Sequence, residues 1–223
     1  MTGGGTIADT GKDGHTGPGV GDTGHGPPVL HVAGESGMLV EFGAIYAPGI
    51  NRAVMAFDAA LRADPTPGVI ETVPTIRSVL VRYDPLALAP AALEARLREM
   101  LAGRDWYAAP PPPGRKLWRV PAVYGGAAGP DLAEVADLAG LGEAAAVESH
   151  AGARQSVLML GFAPGCAYMG GLGPEWDIPR RTGLTPSVPP GSVLVAIRQT
   201  VFPSTEMPTG WRRIATSPFR SFV

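Results

Sequence analysis

The sequence contains a single cysteine, Cys166, among its 223 residues, so an internal disulfide is impossible. This scarcity favours a reducing compartment, and we expect a cytoplasmic protein. No run of about 18 apolar residues occurs, which predicts no transmembrane helix, and the N-terminus lacks the apolar centre of a signal peptide. The net charge of -2 gives no support to a nucleic-acid partner, because such proteins usually carry a basic stripe.

Several motifs of nucleotide and metal chemistry are also missing. The chain has no Walker A loop, no GxGxxG fingerprint, no GxSxG elbow and no His/Cys cluster at metal-ligand spacing. The sequence therefore predicts no independent nucleotide-hydrolysing site and no metal site.

Glycine and proline are abundant, with 31 and 24 residues respectively. This composition favours strands and turns over a helical bundle. The length and the 45% hydrophobic content suffice for one large domain or two small ones.

The composition divides the chain into four parts. Residues 1–28 are mostly Gly, Thr, Asp, Pro and His, and we expect a disordered tail because such a segment buries little apolar surface. Residues 29–109 are predicted to form a small α+β domain. Four consecutive prolines mark residues 110–116 as a stiff connector. Residues 117–223 show the short strands and turns of a small barrel or sandwich.

Hydrophobic periodicity predicts the elements within these parts. In the first domain we expect strands over 38–42, 69–73 and 78–83, and helices over 51–63 and from Pro90 onward. After the connector we expect strands over 117–124, 155–162 and 192–197, and helices over 129–139 and 143–148.

Glycine and proline are concentrated in one run, from Gly161 to Leu172. Because glycine permits unusual backbone angles and proline fixes them, this run suggests a pocket built from loops, although turn punctuation would look the same. Cys166 within it is either a nucleophile or, as we favour, a small buried residue. For His150, which lies at a predicted helix end, we favour a role in capping or packing over acid–base catalysis.

Polar residues after this run are candidates for binding a ligand. Arg180 and Arg181 form the strongest candidate anion site, since guanidinium groups suit carboxylate and phosphate, with solvated charges as the alternative. Gln199 and Thr200 could hydrogen-bond a polar substrate or a neighbouring loop. Glu206 is either a base, a ligand contact or a surface residue, and Asp177 is a weaker candidate of the same kind.

An ordered series of motifs resembles the family of allophanate hydrolase subunit 1, also described as the carboxyltransferase C/D subdomain. The family run G-F-x-P-G-F-x-Y-L-G-G-L is similar to residues 161–172, and its Y-G-G-x-x-G-P-D-L to residues 124–132. Its P-R-R, V-P-x-G-S-V, Q-T and P-G-G-W are similar to residues 179–181, 188–193, 199–200 and 208–211. The resemblance extends from about residue 30 to the end.

The resemblance implies a small α+β N-terminal domain followed by a cyclophilin-like β-barrel. It implies a member of an ATP-dependent hydrolase complex that opens an amide or lactam C–N bond, either the B subunit of 5-oxoprolinase or allophanate hydrolase subunit 1. A regulatory protein that inhibits a histidine kinase is the alternative, because that protein resembles the same family. The implied cofactor is ATP, used by the assembled complex, and direct contact between ATP and this chain is left open.

The resemblance also implies partners and a substrate-binding set. The chain would work with a second carboxyltransferase-like subunit of the allophanate hydrolase subunit 2 type, and a third subunit is left open. Substrate would be bound by nine residues, and the catalytic residues are not indicated. The nine are Pro164, Gly165, Tyr168, Arg180, Arg181, Gln199, Thr200, Glu206 and Trp211.

The chain departs from the family pattern at several of these motifs. The second Phe of the main run is Cys166, and the glycine of A-G-x-Q-T is Ile197. Two family arginines are also replaced, between Arg181 and Val188 and near Ser217. The family pattern continues with a further strand, whereas this sequence ends at Val223, so an exposed barrel edge is one expectation.

Overall fold

The computed structural model describes residues 26–222. The predicted tail over 1–28 lies almost wholly outside the described residues. The first part of the fold consists of four strands and two helices. These are β1 (Val29–Val32), β2 (Gly37–Glu41), α1 (Pro48–Ala63), β3 (Val69–Pro74), β4 (Ser78–Tyr83) and α2 (Pro90–Ala102).

The four strands form one antiparallel sheet in the order β1-β2-β4-β3. Both helices begin with a proline, whose fixed φ suits the first helical turn. Alternate residues of β2 and β4, such as Val40 and Val81, are buried against Phe57 of α1 and Leu97 of α2. The predicted arrangement of helices on one face of an antiparallel sheet is therefore confirmed for this part of the chain.

The second part contains eight strands and two helices. These are β5 (Val123–Tyr124), α3 (Leu132–Leu138), α4 (Glu143–Gly152), β6 (Ser156–Leu160), β7 (Ala167–Gly170), β8 (Thr185–Val188), β9 (Ser192–Ala196), β10 (Gln199–Phe202), β11 (Met207–Thr209) and β12 (Arg212–Thr216). Six of the strands form a sheet in the order β5-β12-β9-β10-β7-β6, while β8 and β11 form a separate two-stranded ribbon.

Both faces of the six-stranded sheet are covered near its centre, which explains why all five residues of β9 are buried. On one face Val193, Val195 and Phe202 pack against α3, α4 and the segment around Trp176. On the other face Leu194 and Val201 pack against the ribbon. Side chains alternate along a strand, so consecutive residues of β9 and β10 serve opposite faces.

The α+β class is thus confirmed. In residues 26–222 the strand pairing leaves β5 and β6 as the two edges of the six-stranded sheet, so the sheet is open. The cyclophilin-like closure and the predicted domain boundaries stay predictions.

The predicted strand over 117–124 is wrong in length, because only Val123 and Tyr124 pair with a neighbour, β12. The predicted helix over 129–139 is shorter as well. A single 3₁₀ turn over 126–128 precedes it, and the helix itself runs only from Leu132 to Leu138.

One buried amide joins the two parts of the fold. Asn51 of α1 donates through Nδ2 to the carbonyl oxygen of Ile76 at 2.9 Å and to that of Leu158 at 3.1 Å. Leu158 is the extra residue of a bulge in β6. The bond therefore occupies a carbonyl that the bulge removes from the regular ladder.

Candidate functional site

The candidate site lies on the sheet face that the ribbon partly covers. Tyr168 of β7 is paired with Val201 of β10, and Gln199 lies two residues before Val201 on the same face. Trp211, just after the ribbon strand β11, contacts Tyr168 edge to face with ring centroids 6.1 Å apart. Burial raises the pKa of the Tyr168 hydroxyl, and the charge of Arg180 opposes that rise.

Arg180 lies over the ring of Trp211. Its guanidinium carbon lies 5.1 Å from the ring centroid, a cation–π contact that orients the planar fork. Among residues 26–222 no carboxylate forms a salt bridge with Arg180. The structure therefore brings Tyr168, Arg180, Gln199 and Trp211 to one face, with one cation available to a ligand.

The amide of Gln199 is the most unusual polar group of this face. The residue is only 6% exposed, and its Oε1 atom has no hydrogen-bond partner within residues 26–222. A buried acceptor that lacks a donor costs about 1–3 kcal/mol. Such a group is a candidate for a ligand contact.

The turn before Gln199 is strained. Ile197 and Arg198 have φ angles of 45° and 60°, the left-handed pair of a tight hairpin between β9 and β10. These angles are unfavourable for a β-branched residue, and the family pattern has a glycine at Ile197. The segment after β7 holds the turn: Ile197 N–H donates to Ile178 at 2.7 Å and Arg198 N–H to Trp176 at 2.8 Å. These two hydrogen bonds therefore hold Gln199 in position although Ile197 replaces the glycine of the family pattern.

The loop between β6 and β7 forms the end of the same face. Ser204 Oγ donates to the Pro164 carbonyl oxygen at 2.5 Å, which ties the loop to the end of β10. Gly165 has a φ of +72°, and a Cβ there would lie 2.6 Å from Cβ of Phe222. Burial raises the pKa of the Cys166 thiol. Cys166 is fully buried in the cluster that contains Leu194 and Trp211, so it is a small core residue, and its protonated thiol would be a poor nucleophile.

A cavity of about 110 Å³ lies beside this loop, between the end of β10 and the segment 217–222. Tyr168, Gln199 and Trp211 do not line it. This cavity is therefore separate from the candidate site.

Three of the nine predicted residues have other partners. Arg181 donates to Asp131 at 2.9 Å and also to Glu134, on the side of the sheet that carries α3. Hydrogen bonds from Arg212 and Arg181 lower the pKa of Glu134, which keeps this ion-pair group charged. The exposed Glu206 accepts from Ser187 on the ribbon.

Thr200 is the third of these residues. It points to the face opposite Gln199, where its Oγ1 lies 2.9 Å from His150 Nε2, and Tyr124 Oη lies 2.8 Å from His150 Nδ1. Burial lowers the pKa of His150 to about 4. His150 is thus a neutral bridge between β5 and β10, as the packing interpretation predicts. Strand alternation alone could have separated Gln199 from Thr200, since adjacent residues of a strand cannot share a face.

Residues 28–223 match the family of the carboxyltransferase domain, subdomain C and D. The chain belongs to this carboxyltransferase-domain family. The B subunit of 5-oxoprolinase from Bacillus subtilis is 32% identical over 203 residues, covering 85% of this chain and 82% of its own length. The B subunit of 5-oxoprolinase from Escherichia coli O157:H7 is 35% identical over 157 residues, covering 70% of each chain.

A solved structure supports the fold of this carboxyltransferase-domain chain. The crystal structure of TTHA0988 superposes with a TM-score of 0.68 at 30% sequence identity. The match covers 82% of this chain but only 34% of TTHA0988, so the fold described here corresponds to about a third of that longer polypeptide. Within residues 26–222, the helices are too short or too polar to cross a bilayer.

Proposed function

We propose that this chain is the B-type subunit of an ATP-dependent 5-oxoprolinase, which opens the lactam of 5-oxoproline to give glutamate. Two relatives, both B subunits of 5-oxoprolinase, support the proposal. The chain would act in the cytoplasm with a second carboxyltransferase-like subunit. Whether the assembly contains a third subunit is left open. Allophanate hydrolase subunit 1 is the alternative from the same family, with another amide as substrate.

The unpartnered amide of Gln199 is the observation that carries the proposal. A lactam ring holds its N–H and its C=O on the same side of the amide bond. The primary amide of Gln199 can accept from that N–H and donate to that C=O at the same time. Binding the lactam would therefore supply the donor that Oε1 lacks within residues 26–222.

The neighbours of Gln199 match the rest of the 5-oxoproline molecule. The carboxylate of 5-oxoproline suits the fork of Arg180, which makes a cation–π contact with Trp211 and forms no salt bridge within the described residues. Its methylene groups suit the apolar wall that Tyr168 and Trp211 form. An amide, a cation and two aromatic rings on one face thus correspond to the three kinds of group that the substrate presents.

ATP enters the proposal as a co-substrate of the complex. Resonance stabilises the lactam, so opening it against equilibrium requires coupling to phosphate transfer. The sequence has no phosphate-cradling loop, and we assign the phosphate chemistry to the partner subunits. The role of this chain would be to bind and orient the lactam, and it would be active only in the assembled complex.

Replacing Arg180 with lysine should weaken the use of 5-oxoproline by the assembled complex. Lysine keeps the charge but loses the bidentate fork and the guanidinium contact with the ring of Trp211. A charge-assisted hydrogen bond is worth roughly 1.5–3 kcal/mol, so KM should rise at least about tenfold. Steady-state measurement of 5-oxoproline-dependent ATP hydrolysis provides the test.

Arg98→Lys is the matched control, because Arg98 is an exposed arginine of α2 that pairs with Glu94. An assembled complex that hydrolyses no ATP in response to 5-oxoproline would refute the proposed function. An active complex in which Arg180→Lys behaves like Arg98→Lys would instead refute the assignment of the site.

A further inference from the structure

Residues 110–121, which precede β5, are exposed and have no strand partner within the described residues. Leu117 is 71% exposed and Trp118 is 64% exposed, and Val120 is exposed as well. No backbone hydrogen bond is formed by residues 110–122 to the rest of the described chain. A stretch of large apolar and β-branched residues normally pairs in a sheet, because its backbone groups and side chains are otherwise left to water.

This segment lies close to the free edge of β6. Arg115 donates to Ser156, the first residue of β6, at 2.7 Å. Trp118 contacts Phe219 edge to face at 5.7 Å, and Phe219 contacts Phe202 of β10 at 5.9 Å. The segment is therefore anchored at the open side of the six-stranded sheet rather than detached from it.

The edge strand β6 carries exposed apolar side chains of its own. Val157 is 55% exposed and Leu160 is 59% exposed. The segment 117–120 and the neighbouring edge strand β6 thus both present apolar side chains to solvent. Exposed apolar side chains grouped in this way are typical of a surface that another polypeptide covers.

The charges of the segment indicate the chemistry of that polypeptide. Arg115, Lys116 and Arg119 are its charged residues, and the sequence has no acidic residue between Asp105 and Asp131. A complementary strand would therefore combine apolar residues that cover Leu117 with flanking carboxylates.

We propose that residues 117–120 are the acceptor for a β-strand of the second carboxyltransferase-like subunit. This inference rests on the proposed function, which requires such a partner. The occupant is argued from TTHA0988, in which the fold described here is part of one chain with about two thirds further sequence. Where this fold and such additional sequence are encoded as separate chains, the two chains need an interface to stay together. Addition of a strand to an unpaired segment is a common way to form such an interface.

The test is to co-express the full chain with the second subunit encoded in the same genome and to measure complex formation by affinity capture and gel filtration. Leu117→Ser should weaken the complex at least about tenfold, whereas Leu86→Ser, at a site 97% exposed on the first part of the fold, should leave it unchanged. In hydrogen exchange, the amides on the paired side of the segment, either that of Arg119 or those of Trp118 and Val120, should become at least about tenfold more protected in the complex than in the free chain.

Proline substitutions separate backbone pairing from side-chain contact. Arg119→Pro and Val120→Pro remove successive N–H groups, which point to opposite sides of an extended segment. One of the two should weaken the complex at least about tenfold more than the other. Arg119→Ala controls for the lost charge.

The outcomes distinguish this inference from the proposed function. A wild-type complex that Leu117→Ser and both proline variants form equally well, with residues 118–120 still exchanging freely, overturns the acceptor and leaves the function standing. Failure of the wild-type pair to associate overturns both. Self-association of this chain that Leu117→Ser abolishes would show that the occupant is a second copy, which contradicts the assignment.

Discussion

Replacing Gly129 with alanine should cost this chain about 3 kcal/mol or more of its stability. A Cβ at this position would lie 1.9 Å from the backbone oxygen of Ile214 in β12 and 2.8 Å from the backbone nitrogen of Gly125. Both atoms belong to the main chain, so no side-chain rotation can relieve the clash. The same oxygen already accepts from Gly125 N–H at 3.1 Å, which fixes its position further.

Thermal unfolding of the purified chain measures this effect, with an expected fall in Tm of about 10 °C. Gly152→Ala is the control, since nothing lies within 4 Å of a Cβ at that position near the end of α4. If Gly129→Ala melts at the wild-type temperature, the close approach of residues 125–129 to β12 is wrong.

Acidification should destabilise the chain through His150. The pKa of His150 is lowered by burial from 6.5 to about 4, so the folded state excludes a proton that the unfolded state accepts. The stabilising contribution is fully present above pH 6.5 and is lost as the pH falls from 6.5 towards 4. Each unit in that window costs about 1.4 kcal/mol, which amounts to about 3 kcal/mol over its whole width.

Carboxylates also titrate in this range, so the measurement must compare two chains. His150→Gln cannot titrate, although it should be less stable at about pH 7 because Tyr124 and Thr200 lose well-placed partners. Urea unfolding at a series of pH values should show the difference between wild type and His150→Gln shrinking from about pH 7 to about pH 4. A difference that stays constant would show that His150 is accessible to water or bonded differently.

The sequence predicts the first part of this fold well because local signals and tertiary context agree there. Val54, Phe57 and Leu61 recur at helical spacing, and the finished α1 buries all three. The predicted strand over 117–124 is also rich in apolar residues, yet only its last two residues pair. Pro121, which donates no backbone hydrogen bond, interrupts the segment just before the two residues that pair, and pairing also depends on a neighbour that the local pattern does not reveal.

In the candidate site, too, the sequence predicts some features and tertiary packing decides the others. Motif resemblance selects Tyr168, Arg180, Gln199 and Trp211, which the structure places on one face. It also selects Arg181 and Thr200, whose partners Asp131 and His150 are 50 residues away in sequence. Such contacts arise from the packing of α3 and α4 on the sheet, which the residues of the motifs do not reveal.

The amide of Gln199 is the group that would recognise the lactam most directly. The decisive measurement is the Kd of 5-oxoproline for the co-purified complex by calorimetry, in wild type, Gln199→Met and Gln155→Met. Gln155 is the matched control, because its amide oxygen is also buried and unpartnered within residues 26–222 but lies before β6. We expect Gln199→Met to raise Kd at least about tenfold, as the loss of a buried hydrogen bond implies, and Gln155→Met to leave it unchanged. Equal affinities for all three proteins would contradict the account.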